Sequence, residues 1–156
     1  MSLKSVRDHL AEAAPELRVL ETDASSATVE LAAAAYGVEP AQIAKTLSFR
    51  SKDEVFLVVA RGDARLDNKK AKTAFGSKVK MLGREEVEEI TGHPVGGVCP
   101  FGLANPLKVY LDESLKAFDE VIPAAGATNA AVRVSPVRMA EITSGTWVDV
   151  CQDPAC

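Results

Sequence analysis

The sequence predicts an α+β fold, with a mixed, largely antiparallel sheet of about seven strands and short flanking helices. The chain has 156 residues, the length of one domain with a sizeable core. Its candidate strands are short, and several are joined by loops of hairpin length. The helical segments between them are also short, which disfavours a doubly wound parallel sheet. We therefore expect a single domain over residues 1–156, with its core between about residues 25 and 150.

The predicted strands are apolar, β-branched runs between turn signals. Residues 55–60 are continuously apolar, which predicts a central strand buried on both faces. Residues 45–50 precede them, and the polar segment 51–54 between the two predicts a hairpin turn. The other predicted strands are residues 17–20, 78–82, 108–111, 120–124, 131–134 and 146–150.

Helical spacing and end signals predict the helices. Val6 and Leu10 lie on one face of a helix that ends before Pro15. Gly37 and Gly76 fit the position just past two further helices. The predicted helices are residues 5–14, 28–36, 68–75, 84–90 and 135–143, with helical turns at 41–44 and 113–118.

Composition restricts the classes of function. The net charge of −4 does not favour non-specific nucleic-acid binding, so any polyanion site must be a local basic patch. No apolar run approaches the ~18 residues of a membrane span. The three cysteines, Cys99, Cys151 and Cys156, form no CxxC motif, which predicts free thiols in a reducing cytoplasm. His93 and Cys99 lack a matching ligand pair, so no metal site is predicted.

A glycine-rich loop is the most distinctive segment. Residues 91–102, TGHPVGGVCPFG, contain four glycines and two prolines and follow neither a helical nor a strand period. Such a loop can direct several N–H groups at one point, as an anion or oxyanion site requires. It can equally be a tight structural connection.

Two charged residues stand out beside apolar strands. Lys45 lies between Ala44 and Leu47, in a segment whose two faces both look buried. Its side chain could extend to solvent, or it could supply a fixed positive charge to a carbonyl or phosphate oxygen. Asp63 follows the central strand and could bond its own turn, orient Lys45 or receive a ligand hydroxyl.

A basic cluster stands out in this acidic chain. It consists of Arg65, Lys69, Lys70, Lys72, Lys78 and Lys80. These residues could form a solvated helix face or a surface that contacts the phosphates of a nucleic acid.

No GxSxG, GxGxxG or GxxxxGKS motif is present, which disfavours a serine hydrolase and both common nucleotide sites. Cys99 lacks an evident base, which disfavours a nucleophilic role.

Four blocks together resemble the YbaK/ProX superfamily. They are AQIAKTL at 41–47, GDARLDNKK at 62–70, the glycine loop at 91–102 and VYLDESL at 109–115. The resemblance is to free-standing trans-editing aminoacyl-tRNA deacylases, which are related to the editing insertion domain of bacterial prolyl-tRNA synthetase. It covers nearly the whole chain, from about residue 25 to residue 150.

The resemblance implies a function and a set of site residues. The implied reaction hydrolyses the ester between a wrong amino acid and the terminal adenosine of a tRNA, usually tRNA(Pro), without a metal or organic cofactor. The catalytic lysine of the family falls on Lys45. Arg65, Lys69 and Lys70 are the expected tRNA contacts, and prolyl-tRNA synthetase is a candidate partner. The expected substrate-binding residues are Gly62, Asp63, Gly96, Gly97, Val98, Cys99, Pro100, Phe101 and Gly102.

The chain departs from the family pattern in two ways that affect substrate choice. Cys99 stands where the loop usually has serine. The cysteine-clearing branch tends to carry a tyrosine near the first strand and an aspartate after the last glycine turn, where this chain reads LET at 20–22 and AAV at 130–132. This disfavours cysteine as the removed amino acid and leaves alanine, serine or another small residue. Two alternatives to editing remain: a non-catalytic module that binds tRNA ends or synthetases, and a hydrolase of another small acyl ester.

Overall fold

The computed structural model describes residues 2–152 of the chain. Within these residues the chain forms five α-helices, eight strands and two short 3-10 turns. The helices are α1 (Ser2–Ala13), α2 (Val29–Tyr36), α3 (Asn68–Phe75), α4 (Arg84–Thr91) and α5 (Pro136–Thr143). The strands are β1 (Leu20–Glu21), β2 (Ile43–Ser51), β3 (Glu54–Arg61), β4 (Lys80–Met81), β5 (Lys108–Asp112), β6 (Ile122–Pro123), β7 (Ala130–Ala131) and β8 (Thr146–Val148).

The helix ends follow the local signals of the sequence. The Thr28 side chain accepts a hydrogen bond from the Leu31 N–H at the start of α2. The Asp67 side chain accepts from two N–H groups at the start of α3. Gly37 and Gly76 follow these helices in the left-handed conformation, with φ of 68° and 80°. The five predicted helices are confirmed to within a few residues.

The long hairpin of β2 and β3 forms the centre of the main sheet. The two strands are antiparallel over eight residue pairs, and Ser51 pairs with Glu54 across a two-residue turn. Phe56–Ala60 of β3 is at most 2 % exposed. The predicted central strand is therefore confirmed.

The main sheet is mixed, as predicted. Its strand order is β4-β2-β3-β5-β8, and β6 also pairs with β2. β2 is antiparallel to β3 and β4, whereas the pairings of β3 with β5, β5 with β8 and β2 with β6 are parallel. β1 and β7 form a separate two-stranded antiparallel sheet. Together the helices and the mixed sheet confirm the α+β class.

Four predicted elements are wrong in part. The helical turn at 41–44 is a 3-10 turn at Pro40–Gln42, because Ile43 and Ala44 pair with β6 and extend β2. The strand at 17–20 is only Leu20–Glu21, the two residues that find a partner in β7. The strands at 120–124 and 131–134 shrink to β6 and β7, joined by the isolated bridges Val121–Val134 and Ala124–Ala131.

The two faces of the main sheet are covered differently. Leu57, Val59 and Leu111 face a core completed by Leu10 of α1 and by Phe101 of the glycine loop. On the other face, Phe56 and Val58 pack against Ala71 and Phe75 of α3. Among residues 2–152, no helix combines the length and the apolar character needed to cross a bilayer.

Candidate active site

The outer edge of β2 is covered at its two ends and open between them. Ile43 and Ala44 pair with β6, and Phe49 and Arg50 pair with β4. The Leu82 N–H also donates to the Ser48 carbonyl at 3.1 Å. In the described part of the chain, no strand pairs with Lys45, Thr46 or Leu47 on this side.

The register of the hairpin determines which backbone groups face this gap. Ser51 and Glu54 flank a two-residue turn and therefore form a hydrogen-bonded pair. Because such pairs alternate along an antiparallel ladder, Thr46 and Ser48 direct their N–H and C=O groups away from β3. The bond from Leu82 to Ser48 agrees with this register. Thr46 therefore presents an N–H and a C=O to the gap.

The Thr46 side chain adds a third unsatisfied group. Its Oγ1 is buried and has no hydrogen-bond partner within residues 2–152. Buried hydroxyls normally find a partner, so an unpartnered one beside a cavity indicates a position that a ligand or water fills.

A cavity of about 290 Å³ opens at the gap. Its volume is just below the roughly 300–1,000 Å³ range of small-molecule sites. The lining contains hydroxyl and cationic side chains but no carboxylate: Ser26, Thr28, Lys45, Thr46, Ser48 and Arg84. The rest of the lining is mostly aliphatic and includes Val29, Ala32, Ile43, Leu47, Ile122 and Ala131.

Lys45 is half-buried at this cavity. Its Nζ donates a hydrogen bond to the Ala64 carbonyl oxygen, and no carboxylate in the described residues forms an ion pair with it. Burial lowers the pKa of the Lys45 ammonium, whereas the nearby Asp63 carboxylate opposes that shift. The side chain is thus a fixed cation held by a neutral partner.

The glycine loop contributes Val95, Gly96 and Val98 to the same cavity. Gly96 has φ of +93°, and a Cβ there would lie 2.8 Å from Ala27 Cβ, so the position requires glycine. The N–H groups of Gly96 and Val98 donate to no acceptor within residues 2–152. By contrast, the Gly97 N–H donates to the Pro94 carbonyl at 2.8 Å within the loop.

The last four residues of the loop lie outside the cavity lining. Cys99, Pro100 and Phe101 are buried. Burial raises the pKa of the Cys99 thiol to about 12, so the thiol is protonated at neutral pH. The Gly102 N–H donates to His9 Nδ1 at 2.8 Å. None of these four residues lines the cavity.

Gly62 and Asp63 lie beside the site without lining the cavity. A Cβ on Gly62 would lie 2.1 Å from the Pro40 carbonyl oxygen, so this glycine allows the loop after β3 to pass close to the turn before β2. Asp63 accepts from Arg61 Nε at 2.6 Å. Of the interpretations open for Asp63, the structure shows the bond within its own turn.

The predicted tRNA contacts lie outside the cavity lining. Arg65 and Lys69 are exposed. Lys70 donates to Asp149 Oδ1 at 3.1 Å and to the Cys151 carbonyl at 3.0 Å, contacts that tie α3 to the segment after β8.

Of the hydroxyl and cationic residues that line the cavity, sequence reasoning identified only Lys45 as a site residue and missed Ser26, Thr28, Thr46, Ser48 and Arg84. Threonine is common in strands, and an arginine at a charged helix start attracts no notice. The alternation along β2 indicates which residues direct their backbone groups to the same edge as Thr46, because every second residue faces that edge. Recognising that this edge is open at Thr46 also requires knowing where β4 and β6 pair.

The two segments that depart from the family pattern meet in space. Leu20 pairs with Ala131, and Glu21 pairs with Ala130. Both alanines line the cavity. This wall of the site is therefore small and apolar.

Comparison with known proteins places these features in a family. The sequence model of a family described as "Aminoacyl-tRNA editing domain" matches residues 23–142. The chain is 53% identical to "Uncharacterized protein YwhH" of Bacillus subtilis (strain 168) over 98% of this chain and 99% of that protein. It is 30% identical to "Putative Cys-tRNA(Pro)/Cys-tRNA(Cys) deacylase EbsC" of Enterococcus faecalis (strain ATCC 700802 / V583), over 79% of this chain and 76% of that protein.

A solved structure extends the similarity to the whole fold. The structure described as "Crystal structure of a putative trans-editing enzyme for prolyl tRNA synthetase" superposes with a TM-score of 0.90 and 35% identity, covering 97% of this chain and 98% of that one. These matches confirm the resemblance to the YbaK/ProX superfamily. The chain belongs to the family of aminoacyl-tRNA editing domains.

Proposed function

We propose that this protein is a cytoplasmic trans-editing aminoacyl-tRNA deacylase that removes a small non-cognate amino acid from tRNA(Pro). The observation that carries the proposal is that Lys45, Thr46, Gly96 and Val98 line one cavity, and that the Thr46 hydroxyl and the N–H groups of Gly96 and Val98 have no partner within residues 2–152. The family match supports the editing reaction. The names of two similar proteins, which mention tRNA(Pro) or prolyl tRNA synthetase, support the choice of tRNA.

The proposed chemistry is attack of water on the ester carbonyl. The carbonyl oxygen gains negative charge as water adds, and the Lys45 ammonium and the N–H groups of Gly96 and Val98 stabilise that charge. The carbonyl carbon then releases the ribose oxygen, which takes the proton that the attacking water gives up, and the free amino acid leaves. An aminoacyl ester is already activated, so this route requires no nucleophilic side chain.

Thr46 orients the substrate in this proposal. Its C=O faces the gap and can accept a hydrogen bond from the substrate α-ammonium, while its N–H and Oγ1 can bond a ribose hydroxyl or the attacking water. These groups belong to a strand in the main sheet, so their positions are fixed before the substrate binds.

The cavity lining favours a small, uncharged amino acid. Ala130, Ala131, Ala32 and Val29 supply an apolar wall, and no carboxylate lines the cavity to bind a cationic side chain. Such a wall favours the small aliphatic side chain of alanine at this position. Discrimination by size remains modest, because one methylene is worth only ~1–3 kcal/mol.

A panel of charged tRNA(Pro) species tests the proposal. Purified protein is mixed with tRNA(Pro) carrying alanine, serine, cysteine or proline, and the remaining ester is measured over time. We expect fastest hydrolysis of the alanyl ester and none of the prolyl ester. If no species is hydrolysed although the tRNA binds, the protein is a binding module of the same fold. Adding prolyl-tRNA synthetase tests the partner, because a synthetase that supplies tRNA affinity lowers KM.

A further inference from the structure

We propose that the mouth of the cavity holds the terminal nucleotide of the tRNA, with Met81 and Val95 against the base and Arg84 on the phosphate. This inference rests on the proposed function and adds the binding site for the nucleic-acid half of the substrate. None of these three residues was singled out by the sequence as a tRNA contact.

Two apolar side chains lie exposed at the cavity. Met81 is 59% exposed and Val95 is 41% exposed, yet both also line the cavity. A side chain that is both exposed and cavity-lining lies at the opening. A single exposed apolar residue is ordinary, but two that share one cavity mouth form a platform that a ligand can cover.

Arg84 supplies a free cation at the same opening. It is exposed, it lines the cavity, and it forms no ion pair within residues 2–152. The acidic side chains of α4 do not line the cavity, and Glu86 among them is bound to Arg50. The arginines that do form ion pairs in the described residues are Arg7, Arg50, Arg61, Arg133 and Arg138.

The chemistry of the substrate identifies the occupant. The scissile ester joins the amino acid to a ribose, so an amino acid in the apolar cavity leaves its nucleoside at the mouth. A base presents a flat face that packs on the polarizable thioether of Met81 and on Val95. The phosphate of the same nucleotide matches the forked donors of a guanidinium. One nucleotide thus accounts for the apolar platform and the unpaired cation together.

Kinetics and binding of point variants test this inference. Arg84→Glu and Met81→Ser are compared with wild type in single-turnover deacylation of the best mischarged tRNA and in a fluorescence-anisotropy titration of uncharged tRNA(Pro). We expect each variant to raise the half-saturating concentration roughly tenfold, with the rate at saturation within about twofold of wild type. Arg84→Glu should also reduce the slope of log affinity against log salt by about 1.

Two control variants separate contact from general effects. Arg18→Glu makes the same charge change at another exposed arginine, which forms no ion pair in the described residues. Arg18 does not line the cavity but lies at a separate surface depression. Met81→Leu keeps an apolar surface and should retain binding. If Arg84→Glu weakens binding no more than Arg18→Glu, or Met81→Ser no more than Met81→Leu, the nucleotide site is refuted.

The proposed function fails by a different result. A wild-type protein that hydrolyses no mischarged tRNA refutes the deacylase, and the anisotropy titration still decides whether Arg84 and Met81 bind the nucleotide. Unfolding temperatures of all variants are compared, and a variant that unfolds early is replaced by Arg84→Gln or Met81→Thr.

Discussion

The glycine loop contains two kinds of residue, which differ in what they face. Val95, Gly96 and Val98 line the cavity, whereas Cys99 and Phe101 are wholly buried in the core. From sequence the whole loop resembles one ligand cradle. The difference shows that only part of the motif lines the cavity, whereas its buried residues hold that part in place.

Hydrogen bonds explain how the buried residues hold the loop. His93 is fully buried, and its Nε2–H donates to the Phe101 carbonyl at 2.7 Å. Its Nδ1 lies 2.7 Å from Ser2 Oγ at the start of α1. Because these contacts tie the loop to α1, we expect changes at core-facing residues to lower stability and changes at cavity-facing residues to lower the rate.

The largest expected effect is on stability. Phe101→Ala removes a fully buried ring from the core and should lower the free energy of unfolding by about 3–5 kcal/mol. Urea unfolding monitored by circular dichroism measures the loss. Val98→Ala, on the cavity side of the same loop, is the matched control and should cost much less. Equal losses at the two positions would show that the loop is not divided in this way.

The next effect is on rate. Lys45→Ala removes the cation at the cavity, and loss of one oxyanion donor typically costs ~10²–10³ in rate. We expect kcat to fall by that factor, with an unfolding temperature close to that of wild type. Single-turnover deacylation measures the rate, and Lys72→Ala, an exposed lysine on α3, is the control. A folded Lys45→Ala protein with full activity would remove Lys45 from the mechanism.

The pH dependence of stability tests the core side again. Burial lowers the pKa of His93 below its ordinary 6.5, against a smaller opposing effect of the bond to the Phe101 carbonyl. The unfolded chain therefore takes up this proton at a higher pH than the folded protein does. The His93 contribution is complete above about pH 6.5 and is lost as the pH falls toward the folded pKa, at up to ~1.4 kcal/mol per pH unit.

Urea unfolding between pH 7.5 and pH 5 measures this slope. The Cys99 thiol that neighbours His93 stays protonated throughout, so it does not contribute. His93→Gln should have lower stability at pH 7.5 and a flatter profile. A wild-type profile as flat as that of the variant would mean that folding does not lower the pKa of His93.

At Thr46 we expect two smaller effects: unchanged or higher stability, and a lower deacylation rate. Thr46→Val replaces the unsatisfied hydroxyl with a methyl group of similar shape, so stability should stay constant or rise by up to about 1 kcal/mol. The deacylation rate should fall several-fold, since the substrate loses one hydrogen bond of ~0.5–1.5 kcal/mol. Thr73→Val on the exposed side of α3 is the control. A loss of stability without a loss of rate would assign Thr46 to the core.

Local signals made most of the helices predictable. Thr28, Asp67 and Gly37 form their cap bonds with residues a few positions away, so their effect can be inferred from the sequence beside them. The pairing of β2 with β6 joins residues 43–44 to 122–123. No local sequence pattern predicts a contact between segments so far apart in the chain. The predicted strand ends were wrong for the same reason.

The same distinction applies to the site. Lys45 could be found because a charge inside an apolar strand is costly and therefore conspicuous. Thr46 could not, because its importance arises from the gap that β4 and β6 leave on the edge of β2. The division of the glycine loop was also hidden, since a loop without a period does not indicate which residue faces which side.

The smallest expected effect is at Cys99, which tests whether the core-facing residues take any direct part in the chemistry. With its pKa raised to about 12 by burial, the thiol has almost no thiolate at neutral pH and no exposed path to a reagent. Iodoacetamide treatment of the folded protein at pH 7.5 should leave the peptide that contains Cys99 unmodified, and deacylation should stay within about twofold of the untreated rate. Mass spectrometry after urea unfolding supplies the positive control, because the same peptide then reacts.

Cys99→Ala should likewise retain the rate at saturation while losing some stability, since the side chain fills space between His93 and Phe101. Loss of activity in step with alkylation of Cys99 would make this residue a nucleophile and would place the chemistry on the core side of the loop.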